Sequence, residues 1–186
     1  MTHQLNISEN IEVILVNSND EEIGIMEKME AHQKGLLHRA FSVFVFNSNN
    51  ELLLQRRAFG KYHSEGLWTN TCCSHPAPGE TVLEAGNRRM KEEMGMECNL
   101  QPAFSFTYKV ELDNNLFEHE LDHVLIGRTD VLPCLNPEEA SGYRYASLDS
   151  ILSDIVHEPD SYTSWLKIIL EEHLVKLQES LIQKHK

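Results

Sequence analysis

The chain has 186 residues and a net charge of −13, and its 41% hydrophobic and 24% charged residues are those of a soluble globular protein. That length fits one domain with a sizeable core, and the acidic balance excludes a nonspecific nucleic-acid binder, which needs a basic footprint. No run approaches the roughly eighteen apolar residues of a membrane span, so no membrane partner is expected. Four cysteines (Cys72, Cys73, Cys98 and Cys134) lack any framework spacing, and no basic region precedes an apolar stretch at the N-terminus. Reduced thiols and a cytoplasmic location are therefore expected.

Residues 1–10 read as an N-terminal extension. Residues 11–16 form a strand, and Asn17 to Glu22 a polar turn. Glu27 to Leu37 is polar and partly helical; it carries Lys28 and His32. Phe41–Phe46 and Leu52–Gln55 are strands joined by N-S-N-N, which predicts a hairpin. P-A-P-G at 76–79 is a turn, Glu80–Met94 a helix, and Gly95 its stop. Ala103–Leu112 and Phe117–Arg128 predict a second hairpin turning at D-N-N. Tyr143–Ala146 is a short strand, and Ser147 caps a helix that ends before Pro159. Residues 162–184 predict one amphipathic helix with Trp165, Ile168, Ile169, His173 and Leu177 on one broad face. Strands with one internal helix and terminal helices suggest a mixed α/β sandwich.

The densest chemistry lies in W-T-N-T-C-C-S-H-P, residues 68–76, which sets the thiol of Cys73 two residues from the imidazole of His75. On a strand, Glu118 and Glu120 share one face, while His119, Leu121 and His123 share the other. Two carboxylates on one face repel unless a cation or a shared proton lies between them; a solvated strand face is the competing reading. With His32, His38 and His75 they would make a mixed nitrogen and oxygen donor set suited to manganese, magnesium or zinc. The other histidines, at 3, 63, 119, 123, 157, 173 and 185, read as structural or surface groups.

In the 80–94 helix, Val82, Leu83, Gly86, Met90 and Met94 share the apolar face, with Arg89 and Glu93 on its flank. That pair reads either as an ordinary ion pair one turn apart, or as a metal carboxylate beside an anion-binding arginine. Arg56, Arg57 and Lys61 form a cationic cluster able to hold a phosphate inside an acidic protein.

From about residue 10 to 170 the chain closely resembles the type I isopentenyl-diphosphate isomerases. The resemblance is carried by E-K-M-E-A-H, L-L-H-R-A-F-S, L-Q-R-R-A, K-Y-H, G-L-W-T-N-T-C-C-S-H-P, E-H-E and S-W-L. It implies a Nudix-type α/β/α fold with a mixed central sheet, and interconversion of isopentenyl and dimethylallyl diphosphate. It further implies a metal site of His32, His38, His75, Glu118 and Glu120. Cys73 and Glu120 would be the acid–base groups, with Tyr108 hydrogen-bonded to Glu120. Glu93, with the carbonyl of Cys73, would hold a magnesium on the diphosphate. Lys28, Arg57, Lys61 and Arg89 would hold the diphosphate oxygens, and Trp165 would lie against the isoprenoid carbons. Protonation is assigned to Glu120 with Tyr108 and proton removal to Cys73, two roles the sequence allows to be exchanged.

The helix also carries a degenerate Nudix signature, G-x5-E-x7-R-E-U-x-E-E-x-G-U, where U is a bulky apolar residue. Glu80, Arg88, Glu92, Glu93 and Gly95 match it. Ser74 replaces the leading glycine, and Arg89 replaces a metal-binding glutamate. Two rival readings remain, a Nudix hydrolase of a diphosphate and a metal-stabilised module that binds diphosphates without turnover.

Overall fold

The computed structural model describes residues 11–61, 63–112 and 115–182. The N-terminal extension, Tyr62 of the K-Y-H motif, two residues of the D-N-N turn and the end of the expected last helix lie outside them.

One strand, β3 (His38–Phe46), is the spine of the sheet. Along one edge it pairs in parallel with β8 (Phe117–Arg128), from His38 opposite Glu120 to Phe46 opposite Arg128. Its other edge is shared in succession by β1 (Glu12–Val16) at His38, β6 (Cys72–Ser74) at Phe41–Val43, and β4 (Leu52–Arg57) at Phe46. β7 (Gln101–Glu111) forms the expected antiparallel hairpin with β8. The sheet is mixed, as expected.

The first hairpin is one in connectivity only. β3 and β4 pair at a single position, Phe46 with Leu52, and then diverge. Beyond it β4 pairs with β9 (Ala140–Ala146) and with β5 (Trp68–Thr69). The buried Thr71 hydroxyl bridges the gap: it accepts from the Val45 N–H at 2.9 Å and donates to the Leu53 carbonyl at 2.7 Å. Asn70 donates to the carbonyls of Val43 and Cys72 at 3.2 and 2.8 Å. The T-N-T tripeptide thus satisfies backbone groups that splayed strands would otherwise leave bare. This fixes β6 with Cys73 opposite Ser42.

Side-chain alternation sorts the sheet into two faces. Phe44, Phe46, Val124 and Ile126 meet α3 (Leu148–His157), α4 (Ser164–Glu172) and α5 (Leu174–Ile182). Phe41, Val43, Val45 and Leu125 meet α2 (Val82–Met94) on the other side. The architecture is the expected α/β/α sandwich. Cys72 belongs to the α2 core, facing away from its neighbour Cys73.

Three details differ from expectation. Strand β2 (Glu22–Glu27) pairs with β1 in the stretch between the expected turn, which ended at Glu22, and the expected polar segment, which began at Glu27; as an edge strand it exposes Ile23 and Ile25 and shows no alternation. The short helix α1 (Lys28–Lys34) follows it directly, in the segment expected to be partly helical. Helix α2 starts at Val82 rather than Glu80, because Thr81 and Glu84 form a reciprocal capping box; its buried side includes Ala85 and Glu93, with Val82 and Leu83 only half-buried. The expected single C-terminal helix is broken at His173, whose ring packs on Phe106 with centroids 4.4 Å apart.

Two glycines set how α2 sits. A Cβ at Gly86 would lie 2.5 Å from Leu125 Cδ1, so the helix rests directly on β8. Gly95 caps the helix at φ 62°, and a Cβ there would overlap the backbone carbonyl of Cys134. Gly95→Ala combines left-handed strain of about 1–2 kcal/mol with a backbone clash. Urea denaturation is expected to show a loss of at least about 2 kcal/mol; an unchanged midpoint would contradict this packing.

Candidate metal centre and reactive thiol

The site forms where the starts of β3 and β8 lie side by side. The register places His38 beside Glu120, and the two-residue period puts Glu118, Glu120 and Asp122 on the same face as His38 and Ser42. Helix α1 delivers His32 from above, and the turn after β6 delivers His75. Ring centroids of His32, His38 and His75 lie 4.8 to 5.6 Å apart. One ligand atom from each of His32, His38, His75, Glu118 and Glu120 lies within 4.8 Å of all the others.

Orientation of the imidazoles is set from behind. The Nδ1 atoms of His32 and His38 meet the backbone carbonyls of Lys28 and Leu36 at 2.7 and 2.8 Å. That contact requires Nδ1–H, so in the neutral ring Nε2 is the lone pair, aimed inward. His32 Nε2 is 3.2 Å from Glu118 Oε2, and His75 Nε2 is 2.8 Å from Glu120 Oε1. His38 Nε2 lies 3.6 Å from Glu120 Oε1, and Glu118 Oε2 is buried without a hydrogen bond. Buried donor atoms of this chemistry, turned toward one point, fit a divalent cation.

Electrostatics agree. Burial works to raise the pKa of Glu120, but the hydrogen bond and charge of His38, with Glu118 and Tyr108 adding to them, bring it down to about 2. Burial pulls His38 down, yet its Glu120 partner raises it overall. His75 is held far below its ordinary value by burial, with Lys28 and its neighbouring imidazoles adding to the effect. Tyr108 donates to Glu120 Oε2 at 2.6 Å.

Cys73 lines the same cavity with Lys28, Ser42, Arg57, His75, Tyr108, Glu118, Glu120 and Trp165. Burial pushes its thiol up to about 12, against the opposing charge of Arg57. Burial also lowers Lys28, with Glu118 opposing and Arg57 adding to the effect. Trp165 both anchors α4 and walls the cavity: its indole N–H donates to Thr69 Oγ1 at 2.8 Å, and Arg57 stacks 5.4 Å from its ring.

Three expected residues, Lys61, Arg89 and Glu93, lie outside the cavity lining and form an ion-pair cluster of their own. Glu93 Oε1 meets Arg89 Nη2 at 2.8 Å, and Glu93 Oε2 accepts from Gln55 at 2.9 Å. The pairing of Arg89 with Glu93 is therefore the ordinary one-turn ion pair in this structure. Glu139, which the sequence reading did not single out, binds both Arg89 and Lys61. In the degenerate signature, Glu80 and Arg88 pair through two bonds of 2.7 and 2.8 Å.

The sequence reading also missed Asp122 and His63. Asp122 is a buried carboxyl accepting from Ser42 Oγ at 2.8 Å; burial and then the charge of Glu120 hold its pKa far above the usual range. Alternation from Glu120 was its available signal. His63 was expected to be structural or at the surface, but it is buried in the cavity wall, with its pKa lowered to about 3 chiefly by burial.

Comparison with known proteins bears on the family and the fold. The NUDIX domain family matches residues 36–166. An isopentenyl-diphosphate Delta-isomerase of Pectobacterium atrosepticum is 55% identical over 84% of this chain and 88% of its own length. Isopentenyl-diphosphate Delta-isomerase 2 of Aromatoleum aromaticum is 50% identical over 86% of this chain and 85% of its own. Among solved structures, DR0079 from Deinococcus radiodurans covers 87% of this chain and 99% of its own, with a TM-score of 0.72 and 21% identity. The MutT protein of Methanosarcina mazei covers 77% of this chain and 94% of its own, with a TM-score of 0.62 and 19% identity. These last two show the fold alone.

Protons and a cation compete for the imidazoles, and this predicts a pH signature. In the metal-free protein the His38–Glu120 pair stabilises fully between the ordinary carboxylate value of 4.5 and the ordinary histidine value of 6.5; its contribution is lost in stronger acid as Glu120 protonates, and above as pH rises through the raised pKa of His38. The gain in Tm on adding Mn2+ is therefore expected to be small in acid and to reach its full size above that pKa. A gain independent of pH, or largest in acid, would contradict the assignment.

Proposed function

We infer, from the premise that the chain belongs to the isopentenyl-diphosphate Delta-isomerases of the Nudix family, that it moves a carbon–carbon double bond between isopentenyl and dimethylallyl diphosphate. The observation that carries this reading at the site is the sharing of one cavity by Cys73, Glu120 and Tyr108. Binding a diphosphate alone calls for no such acid–base set.

The alkene is unactivated. Shifting its double bond requires a proton added at the terminal methylene and another removed two carbons away, through a tertiary cation that water would trap. A dry pocket, an acid and a base are needed. We propose that the Cys73 thiol donates the first proton and the Glu120 carboxylate accepts the second. This exchanges the roles assigned from sequence, and the physical ground is that burial keeps Cys73 protonated, while His38 and Tyr108, against burial, hold Glu120 as a carboxylate. Arg57, whose charge opposes the rise in the Cys73 pKa, would stabilise the thiolate left behind. Tyr108 holds the oxygen of Glu120 from the far side. The cation would be stabilised by the Glu120 carboxylate and by the face of Trp165, the latter by about 2 kcal/mol when desolvated.

His32, His38, His75, Glu118 and Glu120 would hold one Mn2+, Mg2+ or Zn2+, whose charge, when bound, keeps the two buried carboxylates together and Glu120 in one orientation. Lys28, Arg57, Lys61 and Arg89 would receive the diphosphate. Glu93 would serve a diphosphate-linked Mg2+ with the Cys73 carbonyl by giving up its contact with Arg89. The substrate is a small isoprenyl diphosphate. Among the described residues no helix is long and apolar enough to cross a membrane. We place the protein in the cytoplasm.

Proton NMR with isopentenyl diphosphate and Mg2+ in deuterated water tests the activity. Dimethylallyl diphosphate carrying deuterium in a methyl group is expected. Release of inorganic phosphate or pyrophosphate would point instead to a hydrolase. Cys73→Ala and Glu120→Gln are each expected to lower kcat by about a hundredfold to ten-thousandfold, the usual range for a general acid or base. A near-wild-type rate in either variant would remove that residue from the mechanism.

A further inference from the structure

The loop between β4 and β5, described at residues 58–61 and 63–67, sends one imidazole into the site. His63 Nε2 lies 3.3 Å from Glu118 Oε1, and its Nδ1 lies 3.2 Å from Ser64 Oγ. The ring stands edge-on to Trp165 with centroids 5.9 Å apart. The loop is held in place for this. Arg57 donates from Nε to the Ser64 carbonyl at 3.1 Å and from Nη2 to the His63 carbonyl at 3.3 Å. Ser64 takes a φ of 51°, which turns the chain back, and the Gly60 N–H is closed by Glu65 Oε2 at 2.8 Å.

The two oxygens of Glu118 have different surroundings. Oε2 faces His32 Nε2 and is buried with no hydrogen bond, the condition of an atom turned to a cation. Oε1 faces His63. The terminal torsion of a glutamate is broad, so nothing in the side chain itself fixes the plane of the carboxylate. A donor on one oxygen fixes that plane and with it the direction of the other oxygen.

We propose that His63 is a positioning residue: its Nε2–H donates to Glu118 Oε1, fixing Glu118 so that Oε2 turns to the metal centre, and its ring links that carboxylate to the Trp165 wall. The role rests on the metal-centre reading above and acts through Glu118. His63 contributes no sixth ligand, because its inward nitrogen carries the proton.

The test uses the metal-stripped full chain titrated with Mn2+, with free ion read by electron paramagnetic resonance. His63→Phe keeps a ring and removes the donor; His63→Gln keeps a donor. His63→Phe is expected to weaken Mn2+ binding about tenfold to a hundredfold, the usual loss of an outer partner, and His63→Gln to recover most of it. Equal affinity in wild type and His63→Phe, or an equal loss in both variants, would overturn the role in favour of packing alone. Nitrogen-15 NMR of the wild-type histidines needs no variant: Nε2 of His63 is expected to be protonated with Mg2+ bound, and an unprotonated Nε2 would overturn the proposal even where His63→Phe fails to fold. A wild type that takes up no Mn2+ sensitive to His32→Ala would overturn the metal centre, and this role with it. That result is distinct from a wild type that binds normally beside a His63→Phe unaffected by the change.

Discussion

The constraint on which the rest of this structure depends is the burial of Glu118 and Glu120 side by side among three imidazoles. Two carboxylates on one strand face, out of water, repel; each must be neutralised by protons or by a cation. In the metal-free arrangement His38 carries out part of that neutralisation, which is why its pKa rises while that of Glu120 falls. A divalent ion would replace those protons, and the rear hydrogen bonds to the Lys28 and Leu36 carbonyls fix the tautomer and ring orientation that turn Nε2 toward it.

Everything nearby follows from bringing five such groups to one point. β3 and β8 run parallel so that His38 and Glu120 meet. β3 and β4 diverge after a single pair, which opens the edge that β6 fills with Cys73. The polar T-N-T segment is buried because it closes the backbone groups exposed by that divergence. Thr69 then receives the indole N–H of Trp165, tying α4 to β5, the strand that leads through the T-N-T segment into β6 and Cys73. The geometry of the candidate site and the sheet topology are thus the same set of contacts, and burial that stabilises the core also keeps the Cys73 thiol protonated.

Much of this was legible in the residues. Alternation put Glu118 and Glu120 on one face and His119 and His123 on the other, and the 3.6-residue period found α2. Spacing alone did not show that His32, His38 and His75 converge, because three elements far apart in sequence deliver them; the resemblance supplied that grouping. Strand β2 was hidden because its isoleucines are exposed at an edge. β5 and β6 are two and three residues long and rich in polar groups, so no period could show them. His63 sits in a loop where one histidine among glycine and serine carries no pattern. Glu139 went unnoticed because its partners, Lys61 and Arg89, come from distant segments.

The central claim is that His32, His38, His75, Glu118 and Glu120 hold one divalent cation beside Cys73. Anomalous diffraction from crystals grown with Mn2+ tests it most directly. The account predicts an anomalous peak bonded to the three imidazoles and two carboxylates, at about 2.0–2.3 Å. Density for the ion only at the helix carboxylates Glu92 and Glu93, with His38 still paired to Glu120, would contradict it.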